Sequence, residues 1–314
     1  MSVASVSRAL NGHSNVRPQM RERVLQAVET LGYVPNAAAR SLSMALSHAI
    51  GVVVPDLHGE FFSELIRGMD IGASSSGYQL LLSTMHADIH QAGQALRAMH
   101  GRVDGLIVMA PQIDPDEIDT LLPPRLPVVL LICPEGRGRP LLRIDNHAGA
   151  AEAARHLLSL GRRRIVHISG PSANFEAVER RDGFEEALAR LAPGVRSIPR
   201  SGDFGEESGA AAIREILDGG ETFDAVFAAN DMMALGAMQE LRKRGIAIPE
   251  DVAIVGFDDI PLARFMGLTT MRVHMAELGD RAVRSLAALL GGAEEADSVR
   301  LAPELIVRSS TKIG

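Results

Sequence analysis

Residues 225–259 read AVFAANDMMALGAMQELRKRGIAIPEDVAIVGFDD, and this stretch decides the fold. A short apolar run predicts a buried strand over 225–228, an amphipathic pattern predicts a helix over 232–244, and a second apolar run predicts a strand over 252–256. The same grammar extends in both directions. Strands are expected at 49–54, 79–83, 105–109, 128–132 and 164–169, with helices at 60–75, 89–101, 148–160, 181–191, 208–218 and 275–290. A further short strand precedes Asp145, and 302–308 reads as a closing strand. Short apolar strands alternating with helices mean parallel sheets covered on both faces. Two such runs of about a hundred residues each, joined near Asp145, give two domains of ordinary size.

The first 47 residues follow different rules. Val3, Val6 and Leu10 fall at helical spacing, and Asn11-Gly12 supplies a stop. Arg17-Pro18 leads into a helix with Met20, Val24, Ala27, Val28 and Leu31 as its apolar stripe, ended by Gly32. An Ala-rich segment, 36–45, has too few large apolar residues for a core and reads as a linker that is helical only in context.

At 314 residues the chain buries about three quarters of its unfolded surface. Hydrophobic residues at 46% and charged residues at 23% exclude collagen-like, coiled-coil and disordered classes. One cysteine excludes a disulfide framework and a cysteine zinc site. Apolar runs are too short to cross a bilayer, and residues 1–10 lack the apolar run of a signal peptide, so a reducing cytoplasm and no membrane partner are expected. The net charge of −7 hides an asymmetry, because residues 1–50 hold five Arg against two Glu, or +3, which leaves −10 for the rest. A basic head on an acidic body directs any polyanion contact to the head.

In open α/β sheets, ligands bind beyond the carboxyl ends of the strands. Those positions hold Phe61-Phe62, Asp145, then Asn174, Glu176 and Arg180, then Phe204, Asn230-Asp231 and Asp258. Each has a plainer reading. Asn230 or Asp231 serves equally as an N-cap, Asp258 as a turn former and Arg180 as a solvated helix-end charge. Two adjacent Phe after a loop are not expected to face one core together, which sends one of them to the cleft. The Walker, Gly-x-Ser-x-Gly, His-Glu-x-x-His and Gly-x-Gly-x-x-Gly patterns are missing, so neither an enzyme nor a metal or organic cofactor is expected. Asp258 with Asp145 is the one carboxylate pair that could imitate a glycosidase.

The blocks SVASVSRALNG (2–12), VRPQMRERVLQAVETLGYVPNAAARSL (16–42), IGVVVPD (50–56), VDGLIV (103–108), IDNHAGA (144–150), ERRDGF (179–184), AANDMMALGAM (228–238) and GIAIPEDVAIVGFDDI (245–260) resemble, in order and spacing, the bacterial transcription regulators of the lactose, galactose and purine repressor family. The resemblance covers essentially the whole chain. It implies two Rossmann-like subdomains of the periplasmic sugar-binding type, joined by three crossovers around an effector cleft and preceded by a small helix-turn-helix head. The implied boundaries are 1–47 for the head, 48–145 plus 275–300 for one subdomain, and 146–274 plus 301–314 for the other.

By the same resemblance, helix 3–10 reads the major groove through Ala4, Ser5, Arg8 and Asn11. Leu42 wedges into the minor groove of a palindromic operator bound by a homodimer. The ten cleft residues named above would hold a small sugar or sugar acid, with Phe stacking on apolar ring faces and Arg180 and the carboxylates binding vicinal hydroxyls. One departure stands out. Family members carry about a dozen residues ahead of the position of Met1, forming the first helix and the turn that prop the recognition helix. An upstream start is the expected explanation, and a sugar-binding sensor that does not bind DNA is the alternative.

Overall fold

The computed structural model describes residues 3–10, 16–32, 46–86, 88–136 and 138–312. The chain divides into two compact units, Met1–Ser47 and His48–Gly314. In the first unit α1 (Val3–Leu10) packs against α2 (Pro18–Leu31). Arg17 lies in extended backbone and Pro18 takes the first helical position, where its missing N–H costs nothing. Gly32, at φ 56°, closes α2 in the left-handed conformation and donates its N–H to the carbonyls of Glu29 and Val28. Ala9 and Val24 are buried here, whereas Met20 and Leu31, expected on the apolar stripe, are exposed. Asn11, Leu42 and the linker 36–45 lie outside the described residues, as does the side chain of Ala4.

The second unit holds two six-stranded sheets. Into the first the chain weaves β1 (Ala49–Val54), α3 (Glu60–Ser75), β2 (Gln79–Thr84), α4 (Ile89–Met99), β3 (Gly105–Met109), α5 (Pro115–Leu121), β4 (Val128–Leu131) and β5 (Leu141–Ile144). It then builds the second from α6 (Asn146–Ser159), β6 (Ile165–Ser169), α7 (Phe175–Leu191), β7 (Ile198–Ser201), α8 (Glu206–Asp218), β8 (Ala225–Ala228), α9 (Asp231–Lys243), β9 (Ala253–Asp258), α10 (Pro261–Met266) and β10 (Thr269–Arg272). After β10 it returns to the first lobe with α11 (Met275–Leu290) and β11 (Val299–Leu301), and crosses a last time into β12 (Glu304–Ile306). The strand orders are β11-β5-β4-β3-β1-β2 and β12-β10-β9-β8-β6-β7, and every pairing is parallel except β10 with β12.

The lobes are therefore joined three times, after β5, β10 and β11. The strand expected over 302–308 is confined to Glu304–Ile306, and β11 just before it belongs to the other sheet, so Leu301 falls one residue outside its expected lobe. Helix α7 starts at Phe175, six residues ahead of the expected 181. The reason is Asn174, whose side chain caps the N–H groups of Glu176 and Ala177 and allows an earlier start than the apolar pattern indicates.

Within each lobe, helices touch through glycines. A Cβ on Gly236 of α9 would lie 1.8 Å from the Glu206 carbonyl oxygen, and one on Gly209 of α8 would lie 2.0 Å from that of Met233. The same reciprocity joins α3 and α11, where Gly68 would meet Ala276 O at 1.9 Å and Gly279 would meet Leu65 O at 2.3 Å. Backbone meets backbone there, leaving no side chain to move aside. Gly236→Ala is accordingly expected to cost about 3 kcal/mol, read as a lower melting temperature.

His167, on β6, is 1% exposed and lies against Phe184 and Phe227, each with its ring centroid 5.2 Å away. Burial, helped by the charge of Arg181, pushes its pKa down to about 4. Because the folded value is depressed, the neutral ring contributes full stability above the unfolded value of about 6.5, and that contribution is lost as pH falls toward 4. His167→Phe should remove this part of the acid sensitivity, reducing the stability difference between about pH 7 and pH 4 by about 3 kcal/mol in acid-denaturation curves.

Candidate functional site

The site grows from the first two turns of α7. With Asn174 as cap, Glu176 and Arg180 stand four residues apart on one face, and Arg180 is 3% exposed. A buried guanidinium must find partners, and this one takes them from four elements. Its Nε donates to Asn146 Oδ1 at 2.8 Å, and Nη1 donates to the Ala229 carbonyl oxygen at 2.5 Å. Asp258 Oδ1 lies 3.5 Å from Nη1, and Glu176 Oε1 lies 3.9 Å from Nη2. The Phe257 ring lies 4.0 Å from the guanidinium carbon, within cation–π range. Together these contacts hold the fork in one plane at the carboxyl ends of β8 and β9.

The acids around it are held under tension. Burial raises Asp258 to about 7, with the Arg180 charge pulling down and Glu176 pushing up. Burial likewise raises Glu176, opposed by Arg180, and lifts Asp231 well above the usual carboxylate range, with Asp258 adding to the effect. Asp258 Oδ1 makes its ion contact with Arg180 without hydrogen-bond geometry and has no hydrogen-bond partner among the described residues. A buried acceptor left in this state suits an incoming hydroxyl donor. Asp258 and Asp259 both adopt positive φ, 110° and 58°, a strained doublet of the kind that collects at binding sites.

The structure brings Glu176, Arg180 and Asp258 into direct contact, with Asn174 at the head of the same helix. Asp231 stands behind them in support. Its Oδ2 accepts from the Ile260 N–H at 2.9 Å and its Oδ1 from Thr270 Oγ1 at 2.6 Å, which fixes the loop after β9. Asn230 is the N-cap of α9, accepting from the Met233 N–H at 3.0 Å, while its Nδ2 donates to the Phe204 carbonyl at 2.9 Å. Phe204 itself is half-buried at φ 72°. Asp145 caps α6 through the Ala148 N–H at 3.3 Å.

Phe61 and Phe62 open α3 in the other lobe. They pack edge to face at 5.3 Å, and both rest half-buried against the core. Sequence reasoning missed Asn146, which is 1% exposed and hydrogen-bonds Glu176 and Arg180 from the first crossover. It also missed Arg143, which pairs with Glu179 and lies 4.9 Å over the Phe175 ring. The signal for Asn146 was its place directly after Asp145 at a strand end.

Residues 1–36 match the model for bacterial regulatory proteins of the lacI family, and residues 154–311 match the periplasmic binding protein-like domain. The chain is similar to the ribose operon repressor of Halalkalibacterium halodurans, with 35% identity over 319 residues, covering 100% of this chain and 95% of that one. Its fold matches the lac repressor dimer bound to operator and the anti-inducer ONPF, with a TM-score of 0.90 and 27% identity over 99% of this chain and 96% of that one. It also matches the transcriptional regulator CelR–cellobiose complex, with a TM-score of 0.75 and 32% identity at the same coverage.

Because the folded pKa of Asp258 lies above its unfolded value, its contribution to stability is complete below about pH 4 and is lost as pH rises through about 7. Asp258→Asn should flatten that loss, so that the variant gains up to about 4 kcal/mol on wild type between pH 4 and pH 8 in denaturation midpoints.

Proposed function

The chain belongs to the lacI family of bacterial regulatory proteins, and on that premise we propose that it is a ligand-responsive transcriptional repressor of the cytoplasm. In this reading a homodimer grips a palindromic operator through its heads and binds a small carbohydrate at the Arg180 cluster. The observation that carries the effector half is the Asp258 oxygen that receives no hydrogen bond from any described residue, beside a fixed guanidinium. Vicinal hydroxyls of a sugar or sugar acid supply the missing donor to Asp258 and an oxygen for Arg180 in one step. The named ligand of CelR, cellobiose, belongs to the same chemical class.

For the head, α1 leaves Arg8 exposed near the half-buried Ser5. An arginine there suits the O6 and N7 acceptors of a guanine in the major groove, and Ser5 suits a base edge or phosphate. Two heads related by a two-fold axis require a palindromic site. Exposed apolar residues in the second lobe support self-association, since Phe265 on α10 is 81% exposed with Leu262 and Met266 beside it.

Effector occupancy reaches the head through the lobes. The Phe175 N–H donates to the Pro111 carbonyl at 3.2 Å and the Leu262 N–H to Glu60 Oε2 at 3.0 Å, so two hydrogen bonds already tie one lobe to the other. A ligand that prefers one spacing of the lobes shifts the population toward it. The carboxylates take no catalytic role in this reading, because Asp145 is a helix cap and Asp258 is paired with a cation.

A thermal-shift screen against pentoses, hexoses, disaccharides and sugar acids tests the cleft. A ligand at a hundredfold over its dissociation constant stabilises by about 2.7 kcal/mol, and Arg180→Ala should abolish the shift. Arg8→Ala should leave the shift intact and weaken binding to a selected operator about tenfold or more. Silence across the whole panel, or a shift that survives Arg180→Ala, would sink the carbohydrate reading.

A further inference from the structure

A cavity of about 280 Å³ lies between α3, α10 and the start of α11, on the Asp259 side of the β9 loop. Its wall carries Arg264, Arg272 and Arg308 against Glu64, Asp259 and Glu277. On a simple count the charges cancel, but the acids are committed elsewhere. Glu64 is paired with Arg67 at 2.5 Å and Glu277 with Arg281 at 2.5 Å, and neither arginine lines the cavity. Asp259 alone is shared between two cavity arginines, with Oδ2 at 2.7 Å from Arg272 Nε and Oδ1 at 2.6 Å from Arg308 Nη2. That triad carries one net positive charge.

Arg264 adds a second, since it makes no ion pair or side-chain hydrogen bond with another described residue. Among the described residues the terminal nitrogens of Arg272 also carry no hydrogen bond, because only its Nε is engaged. His274 lies 3.4 Å from Glu304. Arg308 is already fixed by donating to the Leu268 carbonyl at 2.8 Å, so the site is partly built in advance.

We propose that this cavity binds a phosphate group, as inorganic phosphate or as the phosphate of a phosphorylated sugar, at a site separate from the Arg180 cleft. Guanidinium groups match phosphate oxygens bidentately and stay charged at every physiological pH. The backbone N–H groups of Ala276 and Glu277 add donors at the same wall with no partner among the described residues, because the N-cap His274 contributes no side-chain bond to α11. The bound anion would compete with Asp259 for Arg272 and Arg308. It would thereby loosen the loop that presents Asp258 to the cleft, giving the regulator a second input.

Calorimetric titration of the full chain with inorganic phosphate, glucose 6-phosphate and glucose tests this. Saturable binding of one or both phosphates at a dissociation constant of about 1 mM or tighter is expected, with none for glucose at this site. Glucose 6-phosphate binding about tenfold tighter than phosphate identifies a phospho-sugar as the source, and equal affinity identifies the free anion. Arg264→Gln, at an exposed position, should weaken binding about tenfold, whereas Asp259→Asn should strengthen it severalfold by releasing two guanidinium groups, a gain that misfolding does not produce. The proposal is overturned if neither phosphate binds saturably, if Arg264→Gln binds like wild type, or if Asp259→Asn fails to strengthen the binding.

Discussion

One desolvated cation organises the second lobe. A guanidinium taken out of water costs several kcal/mol unless its donors and its charge are both matched, and Arg180 meets that demand only where α6, α7 and the ends of β8 and β9 converge. Each partner depends in turn on a local rule. Asn174 must start α7 early enough to turn Arg180 inward, Asn146 must sit on the first crossover, and the Ala229 carbonyl must be free at a strand end. Phe257 contributes the flat face beneath. The match stays incomplete at Asp258, whose Oδ1 has no hydrogen-bond partner among the described residues.

The architecture was legible in the sequence because buried parallel strands declare themselves as short apolar runs, and the helices between them as amphipathic segments. The elements that escaped are those with weak patterns. The strands β7, β10 and β11 are three or four residues long, and α5 and α10 are only one to two turns. At the site, residues with unusual chemistry for their position, Arg180, Glu176 and Asp258, could be nominated from strand-end logic. Their division of labour could not. Whether Asp231 faces a ligand or braces a loop depends on Ile260 and Thr270, which come close only after folding. Asn146 went unread because an amide after an aspartate at a helix start looks like ordinary capping chemistry.

The glycine contacts pack each lobe tightly from within. Helices that approach until backbone touches backbone, as α8 does α9 and α3 does α11, leave no compliant layer of side chains between them. Between the lobes run only the three short crossovers and scattered polar contacts, among them Phe175 with Pro111, Leu262 with Glu60, and Arg143 with Glu179. Such an arrangement favours discrete changes of angle over gradual deformation, as a two-state response to a ligand requires.

The Asp258–Asp259 doublet carries a consequence of another kind. With both residues at positive φ, adjacent carboxylates diverge, one toward Arg180 and the other toward Arg272 and Arg308. A single peptide unit thus serves two addresses through two separate codons. A substitution at the first reaches the Arg180 contact alone, and one at the second reaches Arg272 and Arg308 of the same lobe, so two neighbouring codons can change independently of each other.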